Sequence, residues 1–216
     1  MLAFNFFILT LLTLLLFYLA VGRNLMVLII SGLWLTLTGL LGREGFFENN
    51  IAVPPTIFLV IVGGIALSFF FYKLALKQEL NMRLLLLIHV LRIPVELSLY
   101  QLFLMEELPL IMTFKGWNYD IIMGVSALLL FLYLLLSPAG IKQKWLRLWN
   151  RLGLMFLTFI VLIALLSAPL PFQQLAFDQP NIAVQKFPYL FLPGFIVPIV
   201  FASHFLALRK LGTEES

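Results

Sequence analysis

The chain has 216 residues, 62% of them hydrophobic and 11% charged, with a mean hydropathy of +1.07 and a formal net charge of +4. Soluble domains are about a quarter charged, so a chain this apolar has too little polar surface to face water, and its composition implies an integral membrane protein. Cysteine is absent, which excludes disulfides, thiolate metal centres, iron–sulfur clusters and a cysteine nucleophile.

The predicted elements are apolar runs long enough to cross a ~30 Å hydrocarbon layer as helices. They are continuous rather than alternating, unlike the strands of a β-barrel. The first, 4–21, has no basic leader and no small-residue cleavage pattern before Arg23, so it reads as a span and not a signal peptide. Runs at 25–41 and 56–76 follow, the latter with a Gly-Gly pair at 63–64 that allows a bend or a close helix contact. The fourth, 82–107, carries "HVLRIPVELSLY" at 89–100, where a histidine, an arginine, a proline and a glutamate interrupt the apolar pattern. The remaining runs are 119–137, 152–168 and 190–208, and the last contains "PGFIVP" at 193–198, a second candidate bend. The expectation is an all-α bundle of seven spans forming a single domain over 1–216.

Seven spans place alternate loops on opposite sides. One side holds Arg23, Lys73, Lys77, Arg83, Lys142, Lys144, Arg147, Arg151, Arg209 and Lys210; the other holds Arg43, Lys115 and Lys186. Ten against three, with Arg92 inside a span, predicts an outside N-terminus and a cytoplasmic C-terminus. The basic loops are short, and "KQKWLRLW" at 142–149 reads as a ledge against lipid headgroups, with Trp145 and Trp149 at the interface. The opposite loops, at 42–55, 108–120 and 169–189, mix aromatics, amides, carboxylates, glycine and proline, a composition suited to packing onto the bundle.

The candidate site lies on the fourth run. At 100° per residue His89, Arg92, Glu96, Tyr100 and Glu107 share one face, and ionisable groups inside a span face the bundle interior or a wet cavity. Pro94 cannot donate to the carbonyl of Val90 and kinks the helix beside this stripe. Arg92 and Glu96 either pair with each other as a structural clasp or form a ligand site. His204, near the far end of the seventh run, lies at the depth of His89, which permits a shared metal or a bis-histidine haem as well as two separate core histidines. At the outer mouth stand Glu107, Asn118, Asp120, Asp178 and Asn181; Asn118 and Asp120 also suit a helix cap, and the turn around Asp178 suits local hydrogen bonding.

Other chemistries leave no trace. The last span has no mid-span lysine for retinal, and the chain contains no HExxH, GxSxG or GxxxxGK[ST] pattern. The segments "HVLRIPVEL", "MTFKGWNYDI", "LLSAPLPFQQLAFDQPNIA" and "FLPGFIVPIVFASHFLALRKL" resemble an uncharacterised family of small seven-span membrane proteins from Bacteroidetes-type bacteria, over roughly 40–211. That resemblance implies a bacterial cytoplasmic membrane and assigns no activity to any residue. The leading expectation is a non-enzymatic protein that binds or passes a small solute or ion through a polar site on the fourth and seventh helices, with Arg92 as anchor and Glu96 as counter-charge or proton carrier. Three alternatives stand beside it: a small b-type cytochrome ligated by His89 and His204, a lipid-modifying enzyme using Asp120, Asp178 or Glu107, and a structural subunit of a membrane complex. The expected partners are the lipid bilayer, a small solute or ion, and a homo-oligomer or membrane-complex partner; nucleic acid is not among them.

Overall fold

The computed structural model describes residues 1–48, 55–137 and 141–213, and every regular element among them is helical. Residues 49–54 of the loop at 42–55 lie outside the described residues. Helices α1 (Leu2–Ala20), α2 (Leu25–Arg43), α3 (Ile57–Ala75) and α7 (Gln143–Ser167) are each long and apolar enough to cross a membrane. So is the rod Leu192–Gly212, most of which is α8 (Val197–Thr213). Asparagine side chains start two of the helices: Asn24 accepts from the amide of Met26 before α2, and Asn81 from those of Arg83 and Leu84 before α4 (Met82–Val90).

The fourth run is two helices. α4 gives way at Leu91 to α5 (Arg92–Leu104). The break falls where Pro94 offers no N–H to Val90, and the amide of Leu91 turns back to the carbonyl of Ile88 at 3.2 Å. Together the two make a rod about 34 Å long at ~1.5 Å per residue. α6 (Asp120–Leu136) is shorter, and α7 begins well before the apolar run at 152, because the basic stretch from Gln143 onward is already helical.

Helix α8 is the hub. Its span is 67% buried against 28–33% for the other long helices, and α1, α3, α4 and α7 all pack on it. Its start is irregular, a π-helical turn over Leu192–Ile196. Pro198 leaves the carbonyl of Gly194 without its helical donor, and the indole N–H of Trp34 supplies one at 2.9 Å. The Ser68 hydroxyl donates to the carbonyl of Pro198 at 2.8 Å. Gly64 makes this meeting of α3 and α8 possible, since a Cβ there would stand 2.9 Å from the carbonyl oxygens of Pro193 and Gly194. Thr38, Ser126 and Ser203 bond to carbonyls of their own helices, as isolated hydroxyls in apolar helices do.

The two ends of the bundle differ. At one, Arg209 donates to the carbonyl of Leu76, Lys210 to that of Leu80, and the amide of Asn81 to that of Ala20. This is the end rich in lysine and arginine. At the other, the segment 168–191 lies over α5 and α7: Glu107 accepts from the amides of Ile182 and Ala183, and the amide of Asn181 donates to the carbonyl of Ser167. Between the ends the outward face is apolar, with Leu33 68%, Leu59 61%, Phe69 62% and Leu129 62% exposed. Helices apolar on both faces are those whose surroundings are also apolar.

Candidate functional site

The first three residues of the stripe are buried. Arg92, Glu96 and His89 are 5%, 3% and 1% exposed, and His204 is fully covered. Arg92 does not pair with Glu96. Its Nε donates to Asp120 Oδ2 at 3.2 Å, and its Nη2 lies 2.6 Å from Asp120 Oδ1. Glu96 instead accepts from the Asn118 side-chain amide at 2.8 Å on both oxygens. The sequence reading placed Asn118 and Asp120 at the outer mouth; the fold carries both into the interior.

A recessed start to α6 brings them there. Gly124 lies against Ile93 and the Cβ of Arg92, where a side chain would collide with Ile93. Asp120, one turn earlier, therefore sits level with Glu96, about 12 Å below the end of α5 at Leu104. The chain between α5 and α6 dips inward to reach that point, burying Met112, Thr113 and Asn118. Irregular backbone at such depth needs partners within the protein. Asn118 provides them: its Nδ2 also donates to the carbonyl of Met112 at 3.0 Å, and its Oδ1 accepts from the amide of Asp120 at 3.0 Å. One side chain thus shapes the turn into α6, holds the loop and orients Glu96.

On the other flank, Arg92 Nη1 lies 3.4 Å from His204 Nε2, and His204 Nδ1 lies 2.8 Å from Asn150 Oδ1. Guanidinium has no acceptor, so Nε2 must accept. The proton is then on Nδ1 and is donated to Asn150, whose own Nδ2 donates to the carbonyl of Leu146 at 2.8 Å. His204 is neutral in this arrangement. Gly153 makes room for its ring, since a Cβ there would stand 2.6 Å from Nε2.

The two histidines meet. Their rings stack with centroids 3.9 Å apart, and Trp149 packs edge-on against His89. Trp149 is half-buried where Trp145 is exposed, and its indole N–H reaches inward to Ser126 Oγ at 2.9 Å. The arrangement does not fit a bis-histidine haem. Iron needs ring nitrogens converging from opposite faces of a porphyrin, whereas these rings lie against each other and both His204 nitrogens are engaged. Among the described residues, no group of three His, Cys, Asp or Glu side chains is placed to hold a metal.

The other expected residues lie apart from the cluster. Tyr100 receives a hydrogen bond from Lys115 Nζ at 2.6 Å. Glu107 pairs with Lys186 at 2.6 Å, both groups partly exposed, and Asp178 is exposed. Asn181 is buried beside α7, its Nδ2 3.3 Å from the carbonyl of Ala164. The carboxylates considered for lipid chemistry thus have separate surroundings. Lys186→Met, which removes a partly solvated ion pair, should change stability by no more than about 1 kcal/mol; a thermal unfolding curve close to that of the parent protein is the expected outcome.

Asn150 escaped the sequence reading, which saw a basic loop at its position. Its signal is the spacing Asn150, Gly153, Leu157, Ile160, the buried face of α7. Extending that period backward places Asn150 inside.

The geometry defines a class: an all-helical bundle, apolar outside, around a buried cluster of one guanidinium, two carboxylates and two imidazoles. The chain belongs to a family defined by a domain of unknown function, DUF8737, which matches residues 51–212. Comparison with curated proteins and with solved structures returns no significant match.

Proposed function

We propose that the chain is a multi-pass protein of a bacterial cytoplasmic membrane that binds and passes a small cation, a proton above all, through the cluster around Arg92. Five long apolar helices and their exposed leucines support the membrane placement. The rod of α4 and α5, together with α6, brings the traversals to seven. The lysine and arginine asymmetry supports an outside N-terminus and a cytoplasmic C-terminus.

The observation that carries the functional reading is the charge count. Arg92 is matched by Asp120, and Glu96, equally buried, is a second carboxylate held by a neutral amide. With both carboxylates ionised and both imidazoles neutral, the cluster has one uncompensated negative charge. Burying such a charge is costly unless it is neutralised. One proton on Glu96, or one monovalent cation beside it, restores neutrality. A void of about 30 Å³ lies beside His89 and Trp149, room for a single water next to the histidine pair.

Proton flux into vesicles carrying an entrapped pH dye tests this, with a potassium diffusion potential as the driving force. The parent protein should conduct above protein-free vesicles. Glu96→Gln, which keeps the shape and removes the titrating group, should lower the flux at least tenfold, while Tyr100→Phe should leave it unchanged. Flux equal to that of protein-free vesicles would make the cluster a structural clasp.

A further inference from the structure

A groove of about 690 Å³ runs between α3 and α7, floored by the start of α8. We infer that it binds one molecule of a single-chain, uncharged lipid with a hydroxyl head. The inference rests on the membrane placement proposed above but not on proton binding.

The shape is that of a slot. On α3 its wall runs from Ile57 through Ile61 and Ile65 to Tyr72, a stripe about 22 Å long. Small residues, Ala164 on α7 and Ala168 just past its end, keep the opposite wall low. A volume of this order suits a drug-sized guest, and a narrow slot along a helix suits one extended chain. Because the slot opens between helices whose outward faces are apolar, an acyl chain would reach it from the surrounding lipid.

The head is defined by polar groups at the loop end. Asn181 lines the groove there and is 1% exposed, and its Oδ1 has no hydrogen-bond partner among the described residues. The amide cannot usefully turn round, since Nδ2 faces the carbonyl of Ala164. The backbone N–H of Asn181 donates to Ser167, whose buried hydroxyl also lacks a partner. Buried polar groups are ordinarily bonded. A hydroxyl suits Asn181, since it can donate to the unpartnered amide oxygen that lines the groove. Neither lysine nor arginine lines the groove, so a phosphate head would find no counter-charge.

The test uses the full chain in phosphatidylcholine nanodiscs doped with either 1-monooleoylglycerol or methyl oleate, which has the same chain but no hydroxyl. Lipids retained on gentle release are counted by native mass spectrometry. The expected result is one monooleoylglycerol per chain and at least tenfold less methyl oleate. Asn181→Leu should lower retention of the hydroxyl lipid about tenfold, the scale of one lost hydrogen bond, and leave methyl oleate unaltered. Ala164→Phe should block the slot to both; Ile65→Trp serves the same purpose if that variant does not fold. Equal retention of the two lipids, or retention unchanged in the blocked variants, would mean annular lipid only and overturn the inference. Flotation with liposomes separates the failures: a chain that does not float refutes the membrane placement, and one that floats without selecting the hydroxyl lipid refutes the groove alone.

Discussion

Arg92→Leu is expected to destabilise the bundle by about 3–5 kcal/mol, because it leaves Asp120 buried without its counter-charge. Asp120→Leu should cost a similar amount, stranding the guanidinium beside His204. The double variant removes both charges and should be far more stable than the sum of the single losses predicts. Replacing a buried pair with apolar side chains is often close to neutral. Thermal unfolding followed by tryptophan fluorescence provides the readout, with Trp149 packed against both histidines as a local reporter. Additive losses would show that Arg92 and Asp120 act independently. The partner choice matters here. Were Arg92 matched to Glu96, as the i,i+4 spacing invites, the rescue would come from residue 96; the structure assigns it to residue 120.

Gly64→Val should be among the most damaging changes outside the charged cluster. Its Cβ would press on the carbonyl oxygens of Pro193 and Gly194, backbone atoms held by the π-helical turn. Relief requires α3 to move off α8, and we expect a loss of about 3 kcal/mol, the upper part of the usual overpacking range. Gly32 in α2 makes the contrast, because a Cβ there meets no atom within 4 Å. Gly32→Ala should raise stability by up to about 1 kcal/mol through helix propensity. Melting temperatures of the two variants should move in opposite directions, and a shared direction would refute the account of Gly64 as a contact point.

Much of this architecture was legible in the residues. The apolar runs coincide with helices to within a few positions, except that α7 starts nine residues before 152. That miss has a physical cause: Lys144, Arg147 and Arg151 are good helix formers, and their charge marks where apolar surroundings end, not where the helix does. Pro94 and Pro198 announced the irregular turns through the hydrogen bonds they cannot make. Of the expected stripe, His89, Arg92 and Glu96 face inward, because helical periodicity and the cost of exposing charge to an apolar surround leave no other direction. Tyr100 is only partly buried, and Glu107 lies past the end of α5 in a partly exposed pair with Lys186.

Partners were not legible. Asp120 and Asn118 look like a cap at a helix start, but the N-cap position is Tyr119, and Asn118, one residue before it, accepts from the amide of Asp120. Nothing local reveals that α6 begins deep in the bundle. That depth comes from Gly124 against Ile93, a contact between residues 31 apart. Asn150 reaches His204 across 54 residues, and Trp34 caps Gly194 across 160. Composition and periodicity determined that this chain forms apolar helices with a charged face turned inward, since both follow from neighbours along one helix. Which carboxylate neutralises Arg92, which amide holds Glu96 and how the histidines meet were decided by tertiary structure, because each depends on the relative depth of helices that only their packing sets.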